Sequence, residues 1–128
     1  RAIRKGLFYQ ADIVIEKIEG AISVIEFLKD NHLDQNQLMD IGQTIQKMHE
    51  INICHTDLNA SNILIDKDHN FWLIDFDKCF VKQGDRWKEN NLSRLYRSLQ
   101  KEKNKHHIHF EDQCWEFIMH GYKSSNND

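Results

Sequence analysis

The sequence predicts an α+β fold, mainly helical, with a leading strand and one β-hairpin. Three observations carry this reading. Apolar residues recur at helical spacing in separate stretches, two short apolar runs flank an Asp/Asn-rich turn, and none of the 128 residues is proline. Average usage near 5% would place about six prolines in this length, so their absence leaves long helices uninterrupted.

The elements follow in chain order. Ala11 to Ile18 mixes Ile13, Val14, Ile15 and Ile18 with single charged residues and stops at Gly20, which suits a short strand. Beyond it, Ile22, Ile25 and Leu28 recur at helical spacing. From Leu38, the apolar positions Ile41, Ile45 and Met48 follow at +3, +4 and +3, and Asp34 with Gln37 forms a capping-box signature upstream. Ile63 to Ile65 and Phe71 to Ile74 are separated by Asp66-Lys67-Asp68-His69-Asn70, whose Asp and Asn favour a turn, so they read as a hairpin. Leu92, Leu95, Tyr96 and Leu99 form one helical stripe, and Trp115, Ile118, Met119 and Tyr122 another; both are expected in the core. The polar segment Ser124 to Asp128 has no periodicity and is expected to be a disordered tail.

Composition narrows the function classes. At 40% hydrophobic and 29% charged, the chain suits one soluble domain with one modest core. No apolar run approaches the ~20 residues that cross a bilayer, and the opening Arg-Ala-Ile-Arg-Lys-Gly has no signal-peptide pattern, so a cytoplasmic chain is expected. Cys54, Cys79 and Cys114 are odd in number and far apart, which suits reduced thiols. Net charge is −3, yet residues 86 to 105 hold seven Lys/Arg against two Glu, leaving −8 for the remainder. An acidic chain without interleaved aromatic and basic residues is not expected to bind nucleic acid. His106, His107 and His109 could bind a metal, but without an accompanying acidic or Cys ligand they are expected to form a solvated turn.

The chemistry-bearing residues gather around the hairpin. His55, Asp57 and Asn62 form an H-x-D-x-x-x-x-N pattern, and Asp75 follows His55 by 20 positions at the end of an apolar strand. Singly, Asp and Asn between elements are ordinary turn formers. Jointly they suit phosphoryl transfer, which needs an oriented hydroxyl nucleophile and cations on the phosphates. Asp57 is the candidate base, Asn62 and Asp75 are hard oxygen ligands suited to Mg2+, and His55 is expected to brace the loop.

This layout resembles the catalytic and metal-binding loops of the protein-kinase-like superfamily. The resemblance implies a mainly helical C-terminal lobe over 1–128. It would comprise a hinge region over 1–20, a helical lobe over 21–123 with catalytic loop 54–62 and metal-binding loop 75–78, and the tail 124–128. Glu16, Lys17 and Ile18 would be the hinge against the adenine of ATP. None of the five glycines falls in a phosphate-cradling pattern and the chain opens on Arg1, so the N-terminal β-lobe is expected to be missing and the isolated chain to be inactive. Asp77 stands where the D-F-G pattern has glycine, and no A-P-E motif follows, which argues against a switchable activation loop and a peptide-docking platform.

The stretches Y-Q-A-D-I, I-C-H-T-D-L-N-A-S-N-I-L-I, W-L-I-D-F-D-K-C, G-D-x-W-K and N-L-x-R-L-x-R-S are further similar to the 3-deoxy-D-manno-octulosonic acid (Kdo) kinases of Gram-negative bacteria. That similarity implies ATP-dependent phosphorylation of the 4-hydroxyl of Kdo on a lipid A precursor, at the cytoplasmic side of the inner membrane, as a peripheral protein. Arg94 and Arg97 would then meet the acceptor's carboxylate or phosphates. The basic stretch could also meet the anionic membrane surface. Ser61 departs from the His expected in that family's loop. A small RIO-like protein kinase and a silent nucleotide-binding module remain the alternatives.

Overall fold

The computed structural model describes residues 2–3 and 9–10 as short strands, and residues 20–75 and 79–124 in full. The strand expected over Ala11 to Ile18, with Glu16, Lys17 and Ile18, lies outside the described residues. So do Asp77 and the rest of the 75–78 loop beyond Asp75.

Strands β1 (Ala2–Ile3) and β2 (Tyr9–Gln10) join β3 (Ile22–Ser23), β5 (Ile63–Ile65) and β6 (Phe71–Ile74) in an antiparallel sheet ordered β2-β1-β6-β5-β3. The predicted hairpin is its centre, with Ile63 opposite Leu73 and Ile65 opposite Phe71. Its turn is organised by one carboxylate. Asp66 Oδ1 accepts from the backbone N–H of Asp68 and Asn70, each at 2.9 Å, while Oδ2 accepts from Trp72 Nε1 at 2.9 Å. Burial pushes this carboxyl up, but the hydrogen bonds from Trp72, Asn70 and Asp68 outweigh it and hold it below the usual range.

Helix α1 (Val24–Asp30) begins later than the Ile22 stripe suggests. Ser23 Oγ accepts from Glu26 N at 3.1 Å and so caps the helix, which leaves Ile22 extended and paired with Ile65. Helix α2 (Gln35–Glu50) carries the predicted capping box in both directions: Asp34 Oδ1 accepts from Gln37 N at 2.8 Å and Gln37 Oε1 from Asp34 N at 2.9 Å. Its Leu38, Ile41, Ile45 and Met48 are all buried.

Strand β4 (Ile53–His55) pairs antiparallel with β7 (Cys79–Val81), placing His55 opposite Cys79. Helix α3 (Arg86–His106) and helix α4 (Asp112–Ser124) complete the chain. On α3, Leu92, Leu95 and Leu99 are buried as expected, whereas Tyr96 lies at the rim, 36% exposed, its ring edge-on to Trp115 at 5.2 Å. Ile118 is buried and Trp115, Met119 and Tyr122 pack half-buried against the core. Ser124, expected in the tail, is instead the last residue of α4, its hydroxyl donating to Gly121 O at 3.2 Å. That bond closes the final turn.

The tightest helix packing joins α2 to α4. A Cβ on Gly42 would strike Ile118 O and lie 2.6 Å from Tyr122 N, and one on Gly121 would strike Met39 O. The backbones therefore cross at two glycines, closer than side chains permit. No helix among the described residues is long and apolar enough to cross a membrane.

Candidate active site

The site is built around a histidine with no exposed surface. His55 Nε2 donates to Ile74 O at 2.8 Å, and its Nδ1 accepts from Asp57 N at 3.2 Å. One ring thus joins the start of the loop that carries Asp57 to the residue before Asp75. The β4–β7 pairing holds the same two segments together from the other side.

A directed chain of hydrogen bonds backs this ring. Asn91 Nδ2, on α3, donates to His55 O at 2.7 Å, so Asn91 Oδ1 is the acceptor for His49 Nε2 at 2.9 Å. His49 Nδ1 is then unprotonated and accepts from Tyr122 O–H at 2.7 Å. Four elements, α4, α2, α3 and β4, are linked in one direction. Burial drives His49 down to about 4 against the Asn91 hydrogen bond that favours its charged form, so it is a neutral relay at neutral pH. Burial and the nearby Asp85 charge push the Tyr122 phenol up to about 12, keeping it a donor.

The loop itself is a tight turn ending in a 3-10 turn over Ala60–Asn62. Asn59 Oδ1 accepts from Ser61 N at 2.9 Å and from Ser61 Oγ at 2.5 Å. Asn59 Nδ2 donates to Asp57 Oδ1 at 3.3 Å. Buried Asn62 donates from Nδ2 to Asp57 O at 2.8 Å, so its amide oxygen is the atom that could hold a hard cation. Ala60 N donates to Ser98 Oγ at 2.9 Å, fastening the loop to α3. Asp75 sits half-buried at the hairpin's end with φ 70, a left-handed conformation that Asp tolerates better than most residues.

Asp57 opens into a polar cleft of about 380 Å³ whose opposite wall is α3. Arg94, Arg97, Ser98 and Lys101 line it at i, i+3, i+4 and i+7, one face of that helix. Arg94, Arg97 and Lys101 are exposed, and none has an ion-pair or hydrogen-bond partner among the described residues. Arg94 and Arg97 are thus brought to the wall facing Asp57, while the hinge candidates Glu16, Lys17 and Ile18 lie outside the described residues. The expectation of a solvated turn without an acidic partner fails here: His106 ends α3 with Nε2 3.4 Å from Glu102 Oε1, and half-buried His109 stacks on His32 with ring centroids 4.1 Å apart.

Sequence reasoning passed over Asn59, Asn91, Ser98 and Lys101, and read Tyr122 only as a core residue, missing the hydroxyl it gives to His49. Only the helical spacing of Asn91, Ser98 and Lys101 with the Arg pair offered a signal, and it cannot tell the inward from the outward side of the stripe.

Four helices and two small antiparallel sheets hold this loop and hairpin, a mixed architecture consistent with a kinase-like fold. The model of the lipopolysaccharide kinase (Kdo/WaaP) family matches residues 1–122, and the chain belongs to that family. It is 46% identical over 127 residues to a 3-deoxy-D-manno-octulosonic acid kinase of Photobacterium profundum, covering 99% of this chain and 54% of that protein. Proteins of the same name from Vibrio vulnificus and Pasteurella multocida are 46% and 44% identical over 123 and 120 residues. Those matches cover 96% and 91% of this chain and 52% and 50% of the relatives. The chain spans about half the length of the curated relatives it matches.

Proposed function

We infer that the intact enzyme transfers the γ-phosphoryl group of ATP to the 4-hydroxyl of Kdo on a lipid A precursor, in lipopolysaccharide core synthesis. The observation that carries this reading is the opposition of Asp57 and the Arg94–Arg97 wall across one polar cleft. A carboxylate facing guanidinium groups suits an acceptor that offers a hydroxyl on one side and an anionic group on the other.

In the step, a bond forms between the acceptor oxygen and the γ-phosphorus as the bond to the ADP oxygen breaks, and the hydroxyl proton passes to Asp57. Asp57 orients the hydroxyl, and its own position is set by Asn59 and, through the backbone, by His55. Arg94 and Arg97 hold the acceptor's carboxylate or phosphates. The free amide oxygen of Asn62 and the carboxylate of Asp75 are a hard donor pair that fits Mg2+. Bound there, the ion would neutralise charge on the ATP phosphates. The backbone of Glu16, Lys17 and Ile18 is the proposed adenine contact.

Residues 86–105, with their +5 excess, favour a peripheral position on the anionic cytoplasmic side of the inner membrane, at roughly 1 kcal/mol per cation near the surface. The test is incubation of the intact enzyme with ATP, magnesium and Kdo-bearing lipid A precursor, followed by phosphorus NMR. A new sugar phosphomonoester is expected. Absence of that signal with transfer to a protein serine overturns the reading.

A further inference from the structure

A second cavity of about 290 Å³ lies beside the Asp57 cleft, between β7 and α3. Arg94 and Arg97 line both cavities, so the two spaces share one wall of guanidinium groups. On the second side the further lining includes Phe80, Lys82, Trp87 and Asn90.

The two cavities differ in charge. Asp57 and Glu102 stand among the cations of the first, whereas the second gathers Lys82, Arg94 and Arg97 with no Asp or Glu among its described lining residues. None of the three has a carboxylate partner among the described residues, and the Lys82 ammonium rests 5.8 Å from the centroid of the Phe80 ring. Three like charges converging on one concavity repel one another until an anion enters it. At its edge Phe80 leaves 48% of its surface exposed, an apolar face beside the cationic floor.

We propose that this second cavity is a separate anion subsite, in which Lys82, Arg94 and Arg97 bind a phosphate group of the acceptor lying beyond the reacting sugar. The subsite rests on the reading of the chain as a kinase for an anionic glycolipid. Because the Arg pair belongs to both spaces, one acceptor can place its reacting sugar against Asp57 and a phosphate against Lys82 without any further cation. Phe80 then covers an apolar part of the same molecule. Lys82 becomes the residue that distinguishes a phosphate-bearing acceptor from the same acceptor without it.

The test has two readouts on the intact enzyme, both in neutral detergent. In the first, side-chain ¹⁵N resonances of Lys82 and Arg94 are followed while inorganic pyrophosphate is added without ATP. Both are expected to shift, and an unmoved Lys82 signal overturns the subsite whichever sugar proves to be the acceptor. In the second, KM is compared for Kdo-bearing lipid A precursor with and without its lipid A phosphates. Lys82→Ala should raise KM about tenfold for the phosphate-bearing acceptor and less than twofold for the stripped one, the scale of one charge-assisted hydrogen bond. Lys82→Arg should restore it. Equal effects on both acceptors, or none, overturn the proposal. So does a loss confined to binding of phosphatidylglycerol vesicles, which would assign the cations to a lipid headgroup. If the wild type phosphorylates neither acceptor, the kinase reading fails while the pyrophosphate shift still decides the subsite.

Discussion

The two walls of the Asp57 cleft are built on opposite principles. On the loop side, His55, Asn59, Asn62 and Ala60 each have a named hydrogen-bond partner, and the ring of His55 is sealed from solvent. On the helix side, Arg94, Arg97 and Lys101 are exposed and without partners among the described residues. The same helix serves both ends, since Asn91 and Ser98 of α3 hold the loop while the cations between and beyond them face the cleft. In the proposed reaction, groups that act on the bond being made would be fixed in advance, whereas groups that hold the rest of the acceptor would stay adaptable. Substitutions on the loop side should therefore change turnover or stability, and those on the helix side affinity and salt dependence.

The largest expected effect is at Asp57. Asp57→Ala should lower kcat by about 10²–10⁴, roughly 3–5 kcal/mol of barrier, with little change in KM for ATP. Steady-state kinetics on the intact enzyme measures it, and near-normal turnover would remove Asp57 from the chemistry.

Acid should strike the loop side next. His49 is neutral in the fold with its pKa near 4, while in the unfolded chain it titrates near 6.5. The stability this difference represents is fully present above pH 6.5 and is lost as pH falls from there to about 4, amounting to roughly 3 kcal/mol. Urea midpoints between pH 7 and 4 measure the loss, and in His49→Gln the same acid interval should cost distinctly less. A pH profile identical in the two proteins would contradict the buried neutral relay.

How much of this contrast is legible in the sequence depends on the range of the forces involved. Helix α2 announces itself because its capping box and apolar stripe are local, as does the hairpin, whose turn is organised by Asp66 within six residues. Strands β4 and β7 are three residues each and pair across 23 intervening positions, so no local pattern marks them. Ile22 keeps a helical spacing that the Ser23 cap overrides. The spacing of His55, Asp57, Asn62 and Asp75 is visible in one dimension, but the Asn91–His49–Tyr122 chain joins residues 42 and 73 positions apart and exists only in the fold.

Smaller effects sharpen the division of α3. Asn91→Ala removes the acceptor of His49 Nε2 and the donor to His55 O, leaving both buried, so it should cost about 2–3 kcal/mol in a denaturation experiment and lower kcat as the loop loosens. Arg97→Ala, six positions further along, should leave the denaturation midpoint within about 0.5 kcal/mol of wild type. It should instead raise acceptor KM about tenfold and flatten its dependence on salt. An Arg97→Ala enzyme that melts early with unchanged KM would erase the distinction between the two sides of the helix.

The glycine crossing of α2 and α4 indexes the C-terminal helix like a keyed shaft. Gly121 is the key, and the residue after it, Tyr122, supplies the hydroxyl that meets His49 at 2.7 Å. A shift of α4 by one residue would move that hydroxyl about 1.5 Å along the axis and turn it by roughly 100°, while bringing a side chain where only hydrogen fits. One inserted residue between Asp112 and Gly121 would consequently be felt at His55, at the far end of the relay, by a helix that contributes no residue to the cleft where Asp57 works.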